Sequence, residues 1–264
     1  MHNEHSHLSN INLNELVLLL LFVSLMISYL FSAVFSSKNY KQWPIVRSIL
    51  WVLGIICVAS AFVGPVPNGA HGNFPHHMIG HLLLGMLAPL LLVLSAPITL
   101  LFRTLSVKQG RRLTVLLKSR PIHFISDPIV ASILNVGCLW ILYMTSLYHL
   151  MHENIFFYMF IHIHIFIAGY NYTASMIYID PTPHRRNYLY RAIVLILSSA
   201  GHSILSKYIF IYPPAGVPKV QAEIGGIMMY YGGDVIDIFL IFLFCMQWYK
   251  ANKPSNSLKK ELSS

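Results

Sequence analysis

Residues 71–102, HGNFPHHMIGHLLLGMLAPLLLVLSAPITLLF, pass without a break from a histidine-loaded entrance into a long apolar run. An α-helix rises about 1.5 Å per residue, and roughly 20 apolar residues cross the hydrocarbon of a bilayer. The run is long enough to do so. His77 and His81 stand four apart at its start, which on a helix means one face, one turn above the other. Whether other segments supply ligands at the same depth decides what this entrance is for.

Working outward, the solvent is lipid. Of the 264 residues 56% are hydrophobic and only 10% charged, against roughly a quarter charged in a soluble domain. The apolar residues fall in seven runs, at about 13–35, 45–64, 78–102, 128–150, 155–179, 188–211 and 224–249. The expected fold is all-α, an integral membrane seven-helix bundle, with a His-containing extracytoplasmic tail at 1–12 and a Lys-bearing cytoplasmic tail at 250–264. Pro89 and Pro97 are expected to kink the third span. No positive charge precedes the first run and no small-residue cleavage site follows it, so it reads as a helix that stays.

Charge chooses the sides. All Lys and Arg except Lys207 and Lys219 lie in or beside the first, third and fifth loops and the C-terminal tail. The positive-inside rule puts those segments and the C-terminus in the cytoplasm and the N-terminus outside, in a bacterial plasma membrane. The net charge of +9 is therefore assigned to cytoplasmic loops, and no nucleic-acid partner is expected. Cys57, Cys138 and Cys245 lie singly in apolar runs, which argues against a disulfide framework or a thiolate site.

Fourteen histidines against nine acids is the abnormal figure. Only His123 and His184 fall on the basic side, as solvated loop residues. From the helical rise, His81, His162 and His202 come out roughly 5–15 Å below the outer surface, with Asp234 at similar depth. A carboxylate at that depth is costly unless paired, protonated or metal-bound. Imidazoles and a carboxylate converging from several helices make a metal site in a bundle core. The candidate ligands are His77, His81, His149, His152, His162, His202 and Asp234. His164 points elsewhere than His162 and reads as a hydrogen-bonding partner between helices. His76 reads as an interfacial residue, and His2, His5 and His7 as a solvated tail. Imidazole suits zinc, copper, iron or nickel, and thioether favours cuprous ion. Met78, Met151, Met228 and Met229 near the same face tilt the choice to copper over zinc, although methionine is also a common apolar filler.

The run from His77 through Pro89 to Pro97, HMIGHLLLGMLAPLLLVLSAP, resembles the signature of the CtaG family of bacterial cytochrome c oxidase assembly factors. So do His162 followed by Gly169, the SSAGH segment ending at His202, and the GGIMMYYGGD segment from Gly225 to Asp234, in the same order. The resemblance implies a multi-pass protein that matures a haem–copper oxidase by handling copper, with oxidase subunits and the lipid bilayer as partners. It implies no catalytic residues. The absence of any cysteine pair sets this chain apart from the single-span copper chaperones that share the family's name. His164 is an addition to the pattern, and Ser95 stands where glycine is more usual.

Three other readings stay open. An intramembrane zinc hydrolase would use Glu153 or Asp237 as base, but no H-E-x-x-H is present and the order in HLMHE, residues 149–153, is wrong for it. A facing histidine pair could ligate haem. A transporter would suit a broken third helix beside a buried Asp234. An opsin is excluded by the lack of lysine in the seventh span, and a di-iron desaturase by too few histidine boxes.

Overall fold

A computed structural model describes residues 13–64 and 73–253. The tail at 1–12, His71 and the tail beyond 253 lie outside the described residues. The described chain is helical. In order come α1 (Leu13–Asn39), α2 (Ile45–Phe62), α3 (Phe74–Leu94), α4 (Pro97–Thr104), α5 (Val107–Leu117) and α6 (Arg120–Ile125). Then follow α7 (Pro128–Met144), α8 (Leu147–Glu153), α9 (Ile155–Met176), α10 (Tyr188–Ile211) and α11 (Lys219–Asn252). Helices α1, α2, α3, α9, α10 and α11 are each long and apolar enough to cross a membrane. The expected fourth span is α7 and α8 together, bent by 81° between them, so there are seven spans only if that broken pair is one of them.

Helix α3, which carries the opening stretch, is the axis of the bundle. Of its apolar stretch 61% is buried, against 17% for α1, and it packs on α2, α9 and α11. Helix α1 instead turns Leu20, Ile27, Phe31 and Val34 outward, the pattern of a helix solvated by lipid. At the start of α3, Asn73 accepts a hydrogen bond from the His76 amide, and Pro75 sits in the first turn, where its missing N–H costs nothing. The Phe74 amide donates to Gln221 Oε1 at 2.9 Å, tying the first turn of α3 to that of α11.

Proline shapes this helix in two ways. Pro89 has no N–H to offer the carbonyl four residues back, that of Gly85. A π-helical segment, Leu83–Leu87, surrounds that carbonyl, and the backbone of Gly169 on α9 lies against it so closely that a Cβ there would collide with Gly85 O. The second proline does more than kink. Pro97 disfavours helical backbone in the residue before it, and Ala96 is left-handed, with φ 55° and ψ 56°. The span therefore ends at Leu94 rather than running to residue 102, and α4 is a separate helix. Asp180 seals its start by accepting from the Ile98 and Thr99 amides and from Thr99 Oγ1.

The bend after α7 has an equally local cause. Thr145 is extended, and its hydroxyl both donates to Ile141 O and accepts from the Leu147 amide, which stops one helix and starts the next. Helix α8 thereby folds over the end of the bundle where α3 begins, bringing Tyr148, Met151 and His152 inward. That end is called the histidine end below, and the opposite one the arginine end.

Candidate functional site

His77 and His81 on α3, His162 on α9 and His202 on α10 are all buried, none more than 6% exposed. The structure gathers them into two groups rather than one. In the first, the His77 ring lies 6.0 Å from His162 and 6.1 Å from His152, centroid to centroid. Tyr143, Tyr148 and Tyr158 wall the group. His162 Nδ1 is 2.8 Å from Tyr158 O, and His152 Nδ1 is 3.0 Å from Tyr148 O. A carbonyl oxygen only accepts, so both Nδ1 atoms carry the proton and both Nε2 atoms present a lone pair. A backbone carbonyl orienting the far nitrogen of an imidazole is what metal-binding histidines commonly have. His77 Nε2 meets the Tyr143 hydroxyl at 3.0 Å.

The second group lies one helical turn deeper. The rings of His81 and His202 are 6.0 Å apart and nearly parallel, at 24°. Among the described residues neither ring nitrogen of His81 nor Nε2 of His202 has a hydrogen-bond partner. Tyr143 touches both groups, with its ring 6.0 Å from His77 and 6.5 Å from His81. The glycine pairs of α11 make room for these rings. A Cβ at Gly233 would stand 2.5 Å from His202 Cε1, and one at Gly225 would collide with the Phe74 ring.

The remaining expected ligands sit apart. Asp234 is half-buried and accepts from Ser203 Oγ at 3.2 Å, on the α10 side. His149 is exposed on the outer face of α8, 3.2 Å from Glu153, and faces the Gly216 turn. His164 Nε2 donates to Leu134 O at 3.2 Å, the inter-helix bond expected of it. Met78, Met151 and Met229 are fully buried among Phe74, Tyr143 and Tyr148 as part of an apolar cluster. Among the described residues, no three His, Cys, Asp or Glu side chains stand together as a ready metal shell.

Two residues outside the expected set do face the inner pair. Met86 and Asp237 line a small cavity with His81 and His202. Asp237 is only 7% exposed and lies one turn beyond Asp234 on α11. The sequence holds a signal for it, a second acid in an apolar span, but not for Met86, which reads as filler in LLLGML.

At the arginine end most polar groups are paired, although Arg191 Nε, His123 Nδ1 and Ser36 Oγ are buried without a partner. Arg186 bridges Asp127 at 2.6 Å, and Tyr190 donates to the same carboxylate at 2.8 Å. Burial alone would raise the pKa of Asp127. The bonds from Tyr190, the Ile129 amide and Arg186 outweigh it and hold the carboxyl below its ordinary value. Arg103 donates to Lys41 O at 2.6 Å and lies over Trp43, which joins the first and third loops. Arg191 is buried, donates to Met176 O and is enclosed by the rings of Tyr178, Tyr188 and Phe244. His123 and His184 meet here at 4.1 Å.

Comparison with known proteins gives the following. The family model described as cytochrome c oxidase caa3 assembly factor (Caa3_CtaG) matches residues 27–251. An uncharacterized protein of Mycobacterium leprae is 31% identical over 237 residues, covering 79% of this chain and 35% of that protein. An uncharacterized protein of Mycobacterium bovis is 37% identical over 166 residues, covering 57% of this chain and 24% of its own length. The chain thus spans between a quarter and about a third of these relatives. No solved structure matches.

Proposed function

The chain belongs to the cytochrome c oxidase caa3 assembly factor family, and from that premise we propose that it supplies copper to a haem–copper oxidase. Copper is cargo in this reading, not a resident cofactor. It enters from the outer side of the membrane, passes His149 on the exposed face of α8, and is held among His77, His81, His152, His162 and His202, with Asp234 as a flanking charge. From there it moves to an oxidase subunit by ligand exchange.

One observation carries the proposal: buried imidazoles from α3, α9 and α10, those of His81 and His202 with ring nitrogens left over. A buried polar atom without a partner costs roughly 1–3 kcal/mol, and a chain assembled for stability alone has no reason to place several together. Imidazole with nearby thioether favours copper over zinc. The concentration of Lys and Arg at the opposite end supports an outward-facing histidine end. Assembly factors are not a known enzyme class, and the reading requires no bond to be made or broken beyond the metal's own ligands.

The test is the oxidase itself. Isolated from cells lacking this chain, it is expected to be deficient in copper while its subunits are still made. An oxidase with its full copper complement would overturn the proposal.

A further inference from the structure

Below the His81–His202 pair lie two cavities of about 20 Å³ each. They share Met86, Asn135, Tyr172 and Asp237 as walls. About 10–15 Å³ of such space suffices for one water-sized occupant, so each can hold a single small species. The walls are built in an unusual way. The described chain has two π-helical segments, Leu83–Leu87 in α3 and Ile133–Gly137 in α7. Both deliver side chains here, Met86 from the first and Asn135 from the second. A π-helical turn inserts a residue and re-aims the side chains after it, and such turns recur at functional sites. Two of them converging on one small space, mostly apolar but walled by His81, His202, Asn135 and Asp237, point to a built site.

Resting on the copper-handling reading above, we propose that this chamber is a second, inner copper site selective for the cuprous ion, with Met86 and Asp237 joining His81 and His202 as ligands. The donor set decides the oxidation state. Two neutral imidazoles and a thioether are donors that suit cuprous ion. Asp237 then supplies the one negative charge that a monovalent ion needs for neutrality. A divalent ion on the same ligands would leave a net positive charge in a low-dielectric interior, which is strongly disfavoured. The orphaned nitrogens of His81 and His202, each ring at most 4% exposed, are an independent sign of a missing ligand. Tyr143 packs against both His77 and His81, and the chamber and the His77–His162 group are taken as neighbouring stations. Among the described residues no shell is closed as the side chains stand. Closing one requires side-chain rotation of Met86 and Asp237.

The experiment is a competition titration of the purified full chain in detergent, using cuprous ion and a coloured cuprous chelator under reducing conditions. Wild type is expected to take two ions. Met86→Leu, which conserves volume and so the fold, and Asp237→Asn are each expected to weaken one of them by about tenfold or more, as loss of a single supporting contact commonly does. The double variant His77→Ala/His162→Ala is expected to lose the other and keep the inner one. Copper-edge X-ray absorption reads the same claim, because the sulfur scatterer of wild type should vanish in Met86→Leu. If wild type binds one ion and neither Met86→Leu nor Asp237→Asn alters it, the chamber holds only water and the inner site is refuted while the copper-handling reading stands. If wild type binds none, both fall together.

Discussion

The two ends of the bundle differ in how they treat buried polar groups: unpartnered atoms are scattered at the arginine end, at Ser36, His123 and Arg191, and fall mainly on imidazoles at the histidine end. At the arginine end, each of the carboxylates Asp127 and Asp180 accepts several hydrogen bonds. Arg103 and Arg191 there are each bonded to a carbonyl and stacked on rings. At the histidine end, imidazoles are sunk among tyrosines and glycines with nitrogens unspent. Satisfied polar groups hold a structure together; unsatisfied buried ones are a standing cost. The contrast assigns the arginine end to architecture and the histidine end to binding, and substitutions at each end should therefore behave differently.

The largest effect should come where backbone meets backbone. Gly169→Val forces a side chain into the Gly85 carbonyl and must pry α9 from α3. Overpacking costs about 1–3 kcal/mol even where side chains can yield, and backbone yields less. Detergent-purified protein should lose most of its thermal transition, and an unchanged melting temperature would break the central role given to α3. Next, Asp180→Ala removes three bonds at the start of α4 and should destabilise by about 1–3 kcal/mol, without changing copper binding. A matching loss of copper would erase the division between the ends.

Smaller again is a pH effect at Asp127. Its folded-state value is depressed, so its contribution is fully present above the ordinary carboxylate range and fades as pH falls through the lowered value. Arg186 is 44% exposed, so screening keeps this below about 1 kcal/mol. Wild type should lose slightly more stability than Asp127→Asn between neutral and acid pH in parallel melts. Equal slopes would mean that the pair is decorative. The smallest change expected is also the most discriminating. His81→Leu replaces an unpartnered imidazole by an apolar group, so the melting temperature should stay or rise while bound copper falls. A large fall in stability would make His81 structural.

Much of this architecture is legible in the amino-acid sequence. The apolar runs, the basic end and the burial of His81, His162 and His202 within their helices follow from composition and the helical rise. Depth is not direction, however. A rise of about 1.5 Å per residue ranks side chains along the axis, but it does not reveal that His81 pairs with His202 while His77 pairs with His162, or that Asp234 turns to Ser203. Azimuth needs an unbroken helical phase, and both walls of the inner chamber break it. The π segment Leu83–Leu87 shifts the phase between His81 and Met86, and Ile133–Gly137 does the same beside Asn135. The 81° turn at Thr145 and Ser146 likewise carries His152 inward and leaves His149 on the surface. Hydropathy registers none of these turns, since the residues on either side are equally apolar.

The most direct measurement is the copper content of the full chain, purified in detergent under reducing conditions, for wild type and His81→Ala side by side. Wild type is expected to retain copper above background and His81→Ala to retain measurably less at unchanged folding. Wild-type protein that holds no copper above background would contradict the assignment of the histidine end as a copper-handling site.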